Sequence, residues 1–285
     1  MKIKKAVIAV AGSGTRLLPA TKSMPKEMLP IVDKPIIQLV VEELVEAGIE
    51  DIIMVTKWDK KPLEDHFDHS WALEHALKEA GKEDYLKEIK RIARMANYIY
   101  IRQAPQYGNG VPVLSAASIV KDEPFVFVWG DDLVKSKVSF TKQMVEDYEK
   151  SEKLMIGVQE VPKDQVNRYG IVDIDKDTKK LKGIIEKPSI KEAPSQLADF
   201  GRMILNQEII DILKETPVGK GNELWIVDAI TEYVRRGRDF YVKEVENGEW
   251  LTTGDPLNYM KASLKYAVER EDIGEELKDF IRRLK

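Results

Sequence analysis

A chain of 285 residues, 43% of them hydrophobic, is long enough to bury one large core. Its formal net charge of -4 supplies no bulk basic field, which argues against a nucleic-acid binder, and the absence of cysteine excludes disulfides, thiolate zinc sites and thiol nucleophiles. Small anionic substrates stay open, because a few aimed cations suffice to hold them.

The N-terminus, Met1-Lys2-Ile3-Lys4-Lys5, enters a short apolar segment directly, without a signal-peptide core. No stretch reaches the ~18 apolar residues of a membrane span. A cytoplasmic protein with no membrane partner is expected. Short β-rich runs then alternate with helical patterns. Strands are predicted at Ala6 to Val10, Asp51 to Thr56, Tyr98 to Arg102 and Phe125 to Trp129, and helices at Ile36 to Ala47, Leu63 to Ala80 and Tyr85 to Ala96. Gly48 is placed as a helix stop. This alternation is the signature of βαβ units.

His66, His69 and His75 share the second helical stretch without a carboxylate motif beside them, and read as solvated helix residues. Beyond residue 150 the character changes. Leu154 to Glu160, Gly170 to Asp175 and Leu181 to Glu186 read as strands joined by short polar turns, adding antiparallel hairpins. Gln207 to Lys214 and Glu223 to Arg235 read as helices, Phe240 to Val245 as a strand, and Pro256 to Leu284 as a helical end broken near Gly274. The fold class is therefore α/β, a Rossmann-like three-layer arrangement with a mixed, mostly parallel sheet and added antiparallel strands.

After the first strand comes Ala11-Gly12-Ser13-Gly14-Thr15-Arg16, a glycine loop at the strand end where open α/β sheets bind ligands. Glycines there let backbone N–H groups approach phosphate oxygens. A dinucleotide fingerprint needs a third glycine and an immediate helix, and a Walker loop needs Gly-Lys-Ser/Thr. Neither is present. Instead the loop continues through Pro19 to Pro25-Lys26-Glu27-Met28-Leu29-Pro30, with cations at Arg16 and Lys26. A guanidinium that grips oxygens bidentately and an ammonium acting as a point charge suit a triphosphate. Asp131 and Asp132 end the strand Phe125 to Trp129, and such carboxylates suit Mg²⁺, a hard cation that keeps waters and substrate phosphates as further ligands.

The pattern G-x-G-T-R followed by P-K resembles the signature of the sugar-1-phosphate nucleotidylyltransferases. Ala9 to Pro35, reading AVAGSGTRLLPATKSMPKEMLPIVDKP, is similar to the start of the bacterial-type UTP–glucose-1-phosphate uridylyltransferases. Blocks of similarity continue through Asp65-His66-Phe67-Asp68, Gln103 to Gly110, Gly130-Asp131-Asp132, Tyr169 to Asp173, Glu186-Lys187-Pro188, Gly201-Arg202 and Asp228-Ala229-Ile230. The resemblance implies an enzyme that joins UTP to glucose 1-phosphate, one nucleotidylyltransferase domain over 1–285, and a homo-oligomer. It places a nucleotide-binding half at about 1–135, a sugar-binding half at about 136–255 and a helical end at about 256–285. Another nucleotidylyltransferase, such as a thymidylyltransferase, and a catalytically weak regulatory subunit are the alternatives.

By the same resemblance, Ala11, Gly12, Gly14, Thr15 and Glu27 hold the nucleotide, while Gln103 and Gly108 read the uracil edge. Arg16, Lys26, Asp131 and Lys187 are the catalytic set, Asp131 being the Mg²⁺ ligand and Asp132 steadying its loop. Gly170, Glu186, Lys187 and Gly201 hold the sugar phosphate. The chain departs from the family pattern in three places, one being Trp225-Ile226-Val227-Asp228 where Gln-Leu-Thr-Asp is usual. It reads Gly108-Asn109-Gly110-Val111-Pro112 where a histidine is usual, the proline being expected to stiffen that turn, and Thr252-Thr253-Gly254 where a late Asp-x-Gly supplies a second metal carboxylate. Asp255 and Asp228 are the neighbours that could substitute.

Overall fold

In chain order the elements are β1 (Lys5–Ala9), β2 (Pro30–Ile31), β3 (Lys34–Pro35), α1 (Ile36–Glu46), β4 (Asp51–Thr56), α2 (Lys61–His66), α3 (Trp71–Glu79), α4 (Glu83–Ala93), β5 (Asn97–Arg102), α5 (Val111–Val120), β6 (Phe125–Trp129), β7 (Asp132–Ser136) and α6 (Phe140–Ser151). The second half adds β8 (Met155–Glu160), β9 (Gly170–Ile174), β10 (Leu181–Glu186), β11 (Leu197–Leu205), α7 (Gln207–Glu215), α8 (Ile226–Arg235), β12 (Tyr241–Glu244), β13 (Gly248–Thr252), α9 (Pro256–Ala267) and α10 (Gly274–Arg283). These come from a computed structural model that describes residues 2–284.

The strands β6, β1, β4 and β5 lie side by side and parallel. Three of them are near-continuous apolar runs, as strands covered on both faces must be: Ala6, Val7 and Ile8 pair with Ile52, Ile53 and Met54 on one side and with Val126, Phe127 and Val128 on the other, all wholly buried. Because these strands are parallel, the loops after them open on one sheet edge. Beyond β6 the sheet turns antiparallel. The second half of β11 pairs with β6, its first half meets β9, and β8 runs along its other side. β10 closes one end of the sheet against β9, and β12 joins β8.

Several elements differ from the sequence expectation, and β11, α5 and α6 among them are not anticipated by it at all. The helix predicted over Leu63 to Ala80 is two helices, broken where Phe67 turns inward to stack on Tyr98 with ring centroids 4.8 Å apart. The histidines there are not all solvated: His66 bonds to Gln38 Oε1 at 3.0 Å and His69 to Glu74 at 2.6 Å. Pro112 does not stiffen a turn; it lies in the first turn of α5, where a missing N–H costs no intrahelical bond. The ribbon β7–β13, which pairs Asp132 with Thr252, had no signal strong enough to read in advance. Among the described residues, no helix is long and apolar enough to cross a membrane.

Candidate functional site

The glycine loop lies flush against Lys26. A Cβ at Gly12 would stand 3.4 Å from Lys26 Cε, and one at Gly14 would press at 3.2 Å on both Lys26 Cβ and Thr21. Gly14 also has φ +65°, a conformation glycine adopts without steric cost, and its carbonyl accepts from Thr21 Oγ1 at 2.8 Å. Lys26 itself sits in a short 3-10 turn that begins after Pro25. Its ammonium donates to Asp131 Oδ2. Burial opposes the charge on Lys26, but the carboxylates of Asp131 and Glu27 more than compensate and hold its pKa above the ordinary lysine value.

Asp131 leaves the end of β6 and is fixed through its carbonyl, which accepts from the backbone N–H of Thr253 at 3.1 Å and from its hydroxyl at 2.7 Å. Arg16 completes this end. The point where a Gly254 side chain would begin is 3.5 Å from Arg16 Nη2, 3.5 Å from Asp131 Oδ2 and 3.6 Å from Thr252 Oγ1. A guanidinium, a carboxylate and a hydroxyl therefore border one hollow kept open by glycine.

Asp132 points the other way. Its Oδ1 accepts from Trp250 Nε1 at 2.7 Å and its carbonyl from Arg202 Nη2 at 2.7 Å. Burial, reinforced by the neighbouring charge on Asp131, pushes its carboxyl up to about 7. Arg202 has no exposed side-chain surface and is anchored by Glu43 Oε2 at 2.8 Å.

Sequence reasoning missed Lys60. Its ammonium donates at 2.7 Å to Glu27 Oε2, and the two side chains are only 2% and 1% exposed. Burial, offset by Lys60 and then Lys26, raises the Glu27 carboxyl above its ordinary value. The structure thus sets Glu27 behind Lys26, inside the fold. Lys60 sits in a polar run after β4 whose composition matches a solvated loop, so only the partner reveals it.

Gln103 follows β5, its Nε2 donating to the Gln106 carbonyl at 3.2 Å. Gly108 has φ +125° and lies on the backbone of Leu224, whose carbonyl a Cβ would approach to 2.1 Å. That contact alone demands glycine. Gly201 is similar: φ is +70° and a Cβ would lie 2.2 Å from the Trp129 indole. Glu186 ends β10 and Lys187 follows it, with Lys187 Nζ 3.3 Å from Glu186 Oε1 and 4.9 Å from the Trp225 ring centroid. Burial is the main cause of a raised Glu186 pKa, and Lys187 works against it. Gly170 pairs directly with Glu186.

The donor set suits a hard divalent cation: one carboxylate at Asp131 and a hydroxyl at Thr252, the remaining ligands coming from substrate oxygens and water. No group of three or more histidine, cysteine, aspartate or glutamate side chains is arranged for a metal among the described residues. Asp255 is committed elsewhere, capping α9 through Asn258 N at 3.0 Å and binding Arg168 at 2.8 Å. Asp228 faces the Gly219 backbone.

The nucleotidyl transferase family model matches residues 5–269. UTP–glucose-1-phosphate uridylyltransferase 2 of Staphylococcus saprophyticus is 46% identical over 287 residues, covering 100% of this chain and 99% of that protein. The Staphylococcus epidermidis UTP–glucose-1-phosphate uridylyltransferase is 43% identical, covering 99% of each. Among solved structures, UTP-bound UGPase from Acinetobacter baumannii superposes with a TM-score of 0.91 at 39% identity, covering 99% of this chain and 100% of that one. A UDP-glucose pyrophosphorylase complexed with UDP-glucose superposes at 0.85 and 38% identity, over 94% of this chain and 100% of that one.

Proposed function

We infer that this chain, which belongs to the nucleotidyl transferase family, is a UTP–glucose-1-phosphate uridylyltransferase that forms UDP-glucose and pyrophosphate. The observation that carries the reading is the meeting of Arg16, Lys26 and Asp131 at the glycine loop, with Glu186 and Lys187 supplying a second polar end. Two ends, one cationic and one mixed, suit a triphosphate and a sugar phosphate that must be brought together.

An oxygen of the sugar phosphate attacks the α-phosphorus of UTP in line, and the bond to the β-phosphate bridging oxygen breaks as pyrophosphate leaves with the electron pair. The nucleophile is already an anion, so no general base is required. Positioning and charge neutralisation supply the rate. Arg16 holds the departing pyrophosphate, Lys26 the α-phosphate and Lys187 the attacking phosphate. Backbone N–H groups of Ala11 to Thr15 cradle the nucleotide, and the Gln103 amide offers both donor and acceptor to the uracil edge. Asp131, with Thr252 beside it, would hold Mg²⁺, which would supply electrostatic stabilisation of phosphate charge.

Residues of about 1–135 form the nucleotide end and about 136–255 the sugar end. The helical end carries exposed Leu257, Met260, Leu264 and Phe280, which we assign to a homo-oligomer contact in a cytoplasmic enzyme. Light scattering on the purified chain tests that contact, a monomer at micromolar concentration being the contrary result. The function itself is tested by measuring pyrophosphate release with each of four NTPs and several hexose 1-phosphates. Turnover greatest for UTP with glucose 1-phosphate supports the reading. Turnover greatest for another pair, or none, contradicts it.

A further inference from the structure

Glu186 on β10, Gly170 on β9 and Asp199 on β11 form one row across three neighbouring strands. Glu186 pairs with Gly170, and Ile171 pairs with Ala198, which sets Asp199 beside Gly170. The glycine separates two carboxyl groups. A Cβ on Gly170 would begin 3.2 Å from Glu186 Oε2 and 3.3 Å from Asp199 Oδ2. Both oxygens therefore crowd the position that a side chain at residue 170 would take. Asp199 is 1% exposed, and its Oδ1 accepts the Gly201 N–H at 2.7 Å, but Oδ2 has no hydrogen-bond partner. An unmet buried carboxyl oxygen costs stability, so it persists where something other than folding uses it.

We propose that Asp199 is a specificity-determining residue of the sugar end, its unpaired Oδ2 gripping, from across Gly170, the sugar hydroxyl that Glu186 accepts. The assignment rests on the uridylyltransferase reading and adds a residue to it. Burial, with the nearby charge of Glu186 in the same direction, lifts the Asp199 carboxyl well above the usual carboxylate range. In its neutral form Asp199 donates to the hydroxyl oxygen, while Glu186 accepts the hydroxyl proton. A hydroxyl held as both donor and acceptor is discriminated strongly from its absence, because loss of the hydroxyl leaves both carboxyls unmatched.

The test compares wild type with Asp199→Val, Asp199→Ser and Asp199→Asn. Valine removes both oxygens at similar volume. Serine keeps an oxygen near the Gly201 N–H but is too short to reach over Gly170. Asparagine keeps the acceptor and puts an N–H donor in place of Oδ2. The expected result is a KM for glucose 1-phosphate raised about tenfold in the valine and serine variants, with the UTP KM unchanged and the asparagine variant within about threefold of wild type. Calorimetry should show the same loss for UDP-glucose and none for UDP, with thermal melts at least as high for valine as for wild type. Serine keeps the test open should valine fail to fold. Unchanged sugar KM and UDP-glucose affinity in both variants, or an asparagine variant as impaired as valine, would overturn the assignment. If the wild type binds UDP-glucose no better than UDP, the assignment also falls. A wild type that does not turn over UTP with glucose 1-phosphate instead sinks the proposed function, and the binding comparison still decides the role of Asp199.

Discussion

The Lys26 ammonium donates to the Asp131 carboxylate, so in the free protein the residue assigned to the α-phosphate occupies the residue assigned to the metal. A cation arriving alone must displace an ammonium from the single carboxylate beside Thr252. A nucleotide offers Lys26 a phosphate in exchange. Magnesium is therefore expected to bind weakly without nucleotide, and Thr252→Asp to tighten it by adding a hard anionic ligand. Titration calorimetry of Mg²⁺ into wild type and variant measures both; tight nucleotide-free binding by the wild type contradicts the exchange.

Removing either member of that pair should abolish more chemistry than stability. Lys26→Ala, Asp131→Ala and Lys187→Ala are each expected to lower kcat by about 10²-fold or more, as loss of a preorganised charge at a phosphoryl centre does. Asp132→Ala should act mainly through loop placement, since its carboxyl is turned toward Trp250. Steady-state kinetics on folded variants decides; wild-type kcat in both lysine variants would remove their assigned roles.

Lys60 and Glu27 are a buried ion pair, and breaking one side leaves a charge without a partner. Lys60→Met is expected to cost about 3–5 kcal/mol. Pairing it with Glu27→Leu should recover most of that loss, because neither charge then remains buried. Urea unfolding of the single and double variants gives the comparison. A single variant as stable as wild type would mean that the pair is not desolvated in solution.

Gly201→Ala puts a Cβ into the Trp129 ring at φ +70°. Strain of about 1–3 kcal/mol from the backbone alone is expected, with overlap adding to it. Adding Trp129→Ala should relieve the overlap but not the backbone part. Denaturant midpoints of the two variants separate the contributions.

His66 should make stability fall in mild acid. Burial lowers its pKa below the ordinary 6.5, with Glu42 working against the shift. The unfolded chain then takes up a proton before the folded one, so the contribution is full above pH 6.5 and is lost as pH falls through the folded value. His66→Gln, which keeps an N–H donor toward Gln38 and does not titrate, should flatten stability between pH 7 and pH 5. An unchanged slope would assign the acid sensitivity elsewhere.

Base choice is the least local of the readings. Gln103→Ala is expected to erode the preference for UTP over ATP and GTP, while dTTP, with the same Watson–Crick edge, follows UTP in both proteins. Competition kinetics among the four nucleotides checks it.

Much of the candidate site is legible in the sequence because local chemistry is written in consecutive residues. The glycine loop with Arg16 and the Asp131-Asp132 pair each follow the apolar run of a strand, Pro25-Lys26 continues the first of these loops, and parallel strands must open their following loops on one edge. The period of those runs also announced β1, β4, β5 and β6. What no window of sequence carries is pairing across distance. Lys60 meets Glu27 over 33 residues, Arg202 meets Glu43 over 159, and Trp250 meets Asp132 over 118. The same holds for glycine: the sequence marks Gly108 and Gly201 as small, but Leu224 and Trp129 are what require it. Sequence determined which groups could do the chemistry, since that depends on residue type and local backbone. The tertiary structure alone decided which charges are desolvated and which carboxyls are left unpaired, since burial and partnership are set by strands that meet only when the sheet closes.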